Sequence, residues 1–264
     1  MAKKRLDLIL FERGFFDTKS AASANILAHN VKINGVVVSK AGEMFDETVL
    51  FDENKPVLIE IDSIPYVSRG GLKLEGAIKA FNIDLKDKIC IDMGASTGGF
   101  SDCMLQFGAK FVYALDCGYN QLAWKLRNEK RIKSIEKINV KNCTFEDVYG
   151  LESLPQEELP EFMSMDLSFI SIKKVLENCK NLIRKDASAV LLIKPQFEAD
   201  RSDIEKGGVV KDEKVRKKII KDIESFCESI GFKTLGVIES PIQGAKSKNI
   251  EYLIYLKRDD ECQA

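Results

Sequence analysis

KICIDMGASTGGFSDCMLQFG (residues 88–108) is the stretch that decides the fold. It opens as a short apolar run, passes through a turn containing Gly94, Gly98 and Gly99, and continues with helical spacing. A buried strand that feeds a helix through a glycine-rich turn is the opening unit of an open, mostly parallel α/β sheet. Glycine serves in such a turn because the backbone must adopt positive φ or approach a ligand closely. The N-terminus of the following helix offers free N–H groups and the positive end of a dipole, which suit a carboxylate or phosphate.

The next strand-like run, KFVYALD (110–116), ends at Asp116, 22 residues after Gly94, where an acid can take ribose hydroxyls. The dinucleotide fingerprint G-x-G-x-x-G is not met, because Ser96 stands where its second glycine would fall. Asp92 precedes the turn. A carboxylate there disfavours pyrophosphate and suits a cationic, amine-bearing ligand such as S-adenosylmethionine. The expected cofactor-binding residues are Asp92, Gly94, Ala95, Ser96, Thr97, Gly98, Gly99, Phe100 and Asp116, with Asp166 further along the chain.

Working outward, further strand-like runs are EFMSMDL (161–167), AVLLIKP (189–195), KTLGVIE (233–239) and EYLIYLK (251–257), with helical stretches between them. Near-continuous apolar strands separated by helices predict a Rossmann-like α/β domain over residues 69–264. Four charged residues occupy unusual positions: Lys73 follows SRGG, Asp166 ends FMSMD, Lys194 ends AVLLIK, and Glu251 opens the last strand. Strand C-terminal ends face the ligand crevice of an open sheet, so Asp166 and Lys194 are expected beside Gly94. One reading makes these residues ion pairs that merely line the sheet edge. The other makes them chemistry. A hydroxyl attacking a sulfonium methyl must lose its proton, and His29 is the single histidine, so the base falls to another residue type. Lys194 is the expected base, eased toward deprotonation by burial and by Lys73, with Asp166 orienting it and Glu251 fixing Lys73.

The first 62 residues have a different rhythm. RLDLILFER (5–13) has helical spacing, Asp17 or Thr18 can cap a second helix through His29, and Asn34-Gly35 inside VKINGVVVSKAG signals a hairpin. FDETVLF and KPVLIEI read as short strands, giving a small α+β domain over 1–62 and a linker over 63–68 that contains Pro65. Residues 1–40 carry seven Lys and Arg against three acids, and 41–62 carry seven acids against one Lys. Lys3, Lys4, Arg5, Arg13, Lys19 and Lys32 form a candidate positive face of this domain; the bland reading is a solvated helix surface. Over the whole chain 40 basic residues meet 41 acidic ones, for a net charge of −1, which argues against wholesale coating of nucleic acid. No run reaches the length of a membrane helix. The seven cysteines form no CxxC unit, so free thiols in a reducing, cytoplasmic setting are expected, with no metal site. Residues 199–214, charged and containing Gly207-Gly208, read as a flap, and Trp124 reads as core or adenine-pocket lining rather than a surface ring.

The segments YVSRGGLKLEGA (66–77), DMGASTGGFSDCMLQFGA (92–109), VYALDCGYNQL (112–122), MDLSFIS (165–171), LIKPQFE (192–198), KGGVVKD (206–212) and SPIQGAKSKNIEYL (240–253) resemble the TlyA family. Its members are often labelled haemolysins and are similar to S-adenosylmethionine-dependent ribosomal RNA 2′-O-methyltransferases of the FtsJ class. The resemblance implies an N-terminal module like the RNA-binding domain of ribosomal protein S-four, which makes Lys3, Lys4, Arg5, Arg13, Lys19 and Lys32, joined by Arg69, the expected RNA-binding residues. It also implies a Lys–Asp–Lys–Glu tetrad on Lys73, Asp166, Lys194 and Glu251, and cytidine targets in ribosomal RNA within ribosomal subunits. Arg216 stands where relatives often carry a histidine. Two competing expectations are a membrane-active haemolysin, tested by liposome leakage, and a non-catalytic RNA-binding protein, tested by methyl transfer to ribosomal RNA.

Overall fold

The computed structural model describes residues 3–16, 18–27, 29–52, 54–61, 64–244 and 249–259. Asp17 and Cys262 lie outside them. The chain forms two compact units, Met1–Pro65 and Tyr66–Ala264.

In the first unit, β1 (Lys4–Arg5) leads into α1 (Leu6–Glu12), followed by α2 (Lys19–Leu27), β2 (Val31–Ile33), β3 (Val36–Val37), β4 (Met44–Phe45), α3 (Glu47–Leu50) and β5 (Ile59–Ile61). Thr18 Oγ1 accepts the Ala21 N–H at 3.0 Å and so caps α2. Asn34 and Gly35 both adopt positive φ, as a type I′ turn requires, and join β2 to β3. The sheet order is β3-β2-β5, with β1 and β4 paired separately. Leu6, Ile9, Leu10, Ala22, Ile26 and Val31 form the core. FDETVLF is not a strand. Asp46 accepts the Thr48 N–H at 3.0 Å, and this N-cap starts the single turn α3.

The second unit contains α4 (Gly70–Phe81), β6 (Ile89–Met93), α5 (Gly99–Gln106), β7 (Phe111–Asp116), α6 (Trp124–Arg127), β8 (Ile132–Glu136), α7 (Phe145–Tyr149), β9 (Phe162–Met165), α8 (Leu176–Lys180), β10 (Ser188–Ile193), α9 (Pro195–Glu198), α10 (Glu213–Ser229), β11 (Phe232–Glu239) and β12 (Tyr252–Arg258). Seven strands form one sheet in the order β11-β12-β10-β9-β6-β7-β8. β6 to β10 are mutually parallel, while β12 runs antiparallel to β10 and β11 antiparallel to β12.

Strand alternation sends successive side chains to opposite faces. Ile91, Met93, Met163, Met165, Leu191 and Ile193 join a core cluster with Leu176 of α8 and Ile219 and Ile223 of α10. Asp92 and Ser164 turn the other way, toward Ser101 and Met104 of α5. Helices therefore cover both faces. β8 was not among the six expected strands. It is an edge of the sheet, where exposed Lys133 and Ser134 lie between half-buried Ile132 and Ile135. The expected linker ends earlier than residue 68: Tyr66 is buried in the second unit, and the Val67 N–H donates to Asp102 Oδ2 at 2.8 Å.

Candidate active site

The first turn of α4 carries Lys73. That turn lies close against the start of α5. A Cβ on Gly99 would stand 2.3 Å from Ser68 Oγ and 2.9 Å from the Gly71 nitrogen, so glycine at 99 permits the approach. Lys73 Nζ donates to Glu251 Oε2 at 2.6 Å, and both side chains are buried. Glu251 immediately precedes β12, whose Tyr252 is paired with Ile193 of β10. Lys194 is the residue after Ile193, so the ladder sets Lys194 and Glu251 at the same end of the sheet. Asp166 follows β9, its N–H held by the Met93 carbonyl at 3.0 Å. Asp166 Oδ1 lies 2.5 Å from Lys194 Nζ. Lys194 Nζ also donates to Ser168 Oγ at 3.0 Å. Two ion pairs, from four separate segments, therefore lie at the C-terminal end of the parallel strands, where an open α/β sheet binds its ligands.

The glycine turn lies at the same edge. The Gly94 and Ala95 N–H groups donate to the Leu115 carbonyl at 2.9 and 2.8 Å, and Gly94 and Gly98 have φ of 86° and 95°. Ser96 and Thr97 form its exposed tip. Asp116 ends β7, with Oδ2 accepting the Ser96 N–H and Oδ1 the Gly118 N–H, each at 2.7 Å. A carboxylate has about four acceptor positions, so Asp116 retains capacity for a ribose diol. Exposed turn, helix N-terminus and half-used acid together fit S-adenosylmethionine.

Two expected cofactor contacts sit elsewhere. Asp92 is fully buried, with Ser101 Oγ donating to Oδ2 at 2.6 Å and Ser164 Oγ to Oδ1 at 2.8 Å. It is one residue short of the strand end, so the pleat aims it into the sheet's α5 face and not out of the edge. Burial raises its pKa to about 6 against the pull of the two hydroxyls. Phe100 is 4 % exposed, with Gly70 packed against its ring, so it belongs to the α4–α5 contact.

Trp124, expected in the core or lining the adenine pocket, is 79 % exposed at the start of α6, so it is not a core residue. Phe169 is 88 % exposed with φ of 66°, a left-handed conformation that an aromatic residue seldom adopts. Its ring lies 5.1 Å from that of Phe197. Glu198 supports this loop, accepting Ser171 Oγ at 2.6 Å and the Ile172 N–H at 2.8 Å. Ser168, Phe197 and Glu198 were missed, although all three flank Asp166 or Lys194 in LSFIS and KPQFE. Residues 199–214 are tied back: Asn249 donates to the Gly208 carbonyl at 2.8 Å and accepts the Val210 N–H at 3.0 Å. Arg216, given no role from sequence, donates to Tyr252 Oη at 3.1 Å and to the Val210 carbonyl at 3.0 Å.

In the first unit, Lys4 pairs with Glu12 and Glu47. Arg5 pairs with buried Asp7 at 2.7 Å and Arg13 with Glu47 at 2.7 Å, the Arg13 guanidinium also lying over the Phe51 ring. Lys3 and Lys19 are exposed, and Lys32 and Arg69 are half-buried. The six described cysteines are free thiols. Among the described residues there is no cluster of three His, Cys, Asp or Glu able to hold a metal, and no helix long and apolar enough to cross a membrane.

The FtsJ-like methyltransferase model matches residues 66–258. The chain belongs to that family. Its members' methyl donor, S-adenosylmethionine, is the cofactor of this fold and suits the turn described above. Hemolysin A of Brachyspira hyodysenteriae is 43 % identical, over 95 % of this chain and 98 % of the relative. A Mycobacterium tuberculosis relative named 16S/23S rRNA (cytidine-2′-O)-methyltransferase TlyA is 36 % identical, over 97 % of this chain and 91 % of the relative. A solved structure from Streptococcus thermophilus that carries a provisional hemolysin name is 39 % identical with a TM-score of 0.74, covering 98 % of this chain and 90 % of that one. The FtsJ-like match coincides with the second unit, which holds the paired lysines and the glycine turn.

Proposed function

We propose that the protein transfers a methyl group to the ribose 2′-hydroxyl of a cytidine in ribosomal RNA, within a ribosomal subunit in the cytoplasm. The reading is carried by one observation: Lys73–Glu251 and Lys194–Asp166 are paired at the strand ends beside the glycine turn. Support for the substrate class comes from the relative named for 16S/23S rRNA cytidine 2′-O-methylation.

Bound S-adenosylmethionine supplies an electrophilic methyl group and a positive sulfonium charge. Ser96, Thr97 and the start of α5 hold its carboxylate end, and Asp116 holds its ribose hydroxyls. Lys194 would take the proton from the 2′-hydroxyl as that oxygen takes the methyl group, the donor's C–S bond breaking and its neutral thioether leaving with the electron pair. Asp166 compensates the charge that Nζ acquires. Lys73, held by Glu251, keeps a second positive charge at the edge for the developing oxyanion. Much of the acceleration then lies in alignment. The exposed Phe169 ring offers a stacking face to a base turned out of its helix. In the first unit, Lys3, Lys19 and Lys32 contact the RNA backbone, with Arg69 of the second unit also on phosphate.

Mapping 2′-O-methylation across ribosomal RNA, with and without the protein, tests the reading. A cytidine methylated only when the protein is present is expected, and it is lost with Lys194→Arg. Unchanged methylation maps contradict the function, and an active Lys194→Arg contradicts the base.

A further inference from the structure

We infer that Ser168 is a positioning residue that aims the Lys194 amine, an inference that rests on Lys194 being the group that meets the transferred hydroxyl. Lys194 has two polar neighbours. Asp166 Oδ1, at 2.5 Å, is its charged partner. Ser168 Oγ, at 3.0 Å, accepts an N–H. The attraction within the ion pair depends mainly on distance and sets the N–H directions loosely. The bond to Ser168 restricts rotation about Cε–Nζ and so fixes where the remaining corner of Nζ points, the one that must carry the lone pair that accepts a proton.

Ser168 is itself held. Its neighbour Phe169 sits in left-handed backbone, a strained conformation that persists only where the surroundings over-determine it. The surroundings here are contacts between the loop after β9 and the turn after β10: Phe169 on Phe197, and Ser171 and Ile172 on the Glu198 carboxylate. These contacts run in step with the Asp166–Lys194 pair, so the serine hydroxyl is presented to the amine by a braced loop. Ser168 is exposed, whereas the Lys194 side chain is 11 % exposed. The serine therefore lies on the solvent side of the amine, and removing its hydroxyl leaves the core untouched.

The test compares wild type, Lys194→Arg, Ser168→Ala and Ser168→Thr in single-turnover transfer of labelled methyl groups from S-adenosylmethionine to ribosomal RNA. Ser168→Ala is expected to slow transfer by about 10- to 100-fold. Its half-saturating RNA concentration and its S-adenosylmethionine affinity by calorimetry should stay within about twofold of wild type, the pattern of an interaction made in the transition state. Ser168→Thr keeps the hydroxyl and should recover most of the rate, and all variants should melt alike. Wild-type rates in Ser168→Ala with an inactive Lys194→Arg overturn the inference alone. Equal slowing by Ala and Thr also overturns it, since the hydroxyl would then be irrelevant. An active Lys194→Arg overturns the underlying reading of Lys194, whatever Ser168 does.

Discussion

Asp92 shows what one residue of offset does. The sequence puts it beside the glycine turn, which invites a ligand contact; the pleat turns it inward to Ser101 and Ser164. Its acidity is consequently a stability matter. Burial lifts the pKa from the ordinary 3.8 to about 6. The unfolded chain thus ionises at lower pH than the folded one, and folding loses free energy as pH rises through that window. At 1.36 kcal/mol per pKa unit, the full loss is about 3 kcal/mol above pH 6. Asp92→Asn mimics the protonated form and escapes it. We expect Asp92→Asn to melt above wild type at pH 8, with roughly half that advantage in free energy at pH 5. An advantage independent of pH would show that the carboxyl ionises without penalty. Asp166, Lys194 and Asp116 were legible because they end strands or follow them directly, where a side chain does reach the crevice.

The elements that sequence missed are those whose pattern is set by neighbours. β8 (IKSIE) breaks the apolar run with exposed Lys133 and Ser134, as an edge strand can and a central strand cannot. FDETVLF looks like a strand, but Asp46 in the N-cap position decides for a helical turn. Core is one of the two places the sequence suggests for Trp124, yet α6 has four residues and buries only Leu126. The α4–α5 contact was also hidden, since a glycine's value there depends on what lies across from it. Gly99→Ala puts a Cβ 2.3 Å from Ser68 Oγ and 2.9 Å from backbone at Gly71. The helices must part, at a cost of about 1–3 kcal/mol, and Lys73 moves with α4. Calorimetry should show a lower melting temperature, and methyl transfer should slow. Adding Ser68→Gly should recover only part of the stability, because the clash with the Gly71 nitrogen remains. Full recovery would assign the whole strain to the serine.

For the molecule as a whole, a net charge of −1 means that any grip on RNA is local. The candidate cations of the first unit divide into two groups that sequence could not separate, because ion pairing is a tertiary property. Arg5 is committed to Asp7, whose carboxylate is 1 % exposed, and its hydrogen bond holds that acid below its usual pKa. Lys19, at the exposed start of α2, acts on the same carboxylate through charge alone and less strongly than Arg5. The two should fail differently. Lys19→Gln should lower melting far less than Arg5→Gln and flatten the dependence of log affinity on log salt by about one, the loss of one phosphate contact. Arg5→Gln should lower the melting temperature, because it strands a buried charge. Affinities for a ribosomal RNA fragment across a salt series, measured beside thermal melts, separate the cases. If Arg5→Gln melts like wild type and flattens the salt slope as Lys19→Gln does, then Arg5 spends its charge on RNA, and the Asp7 pair is incidental to the fold.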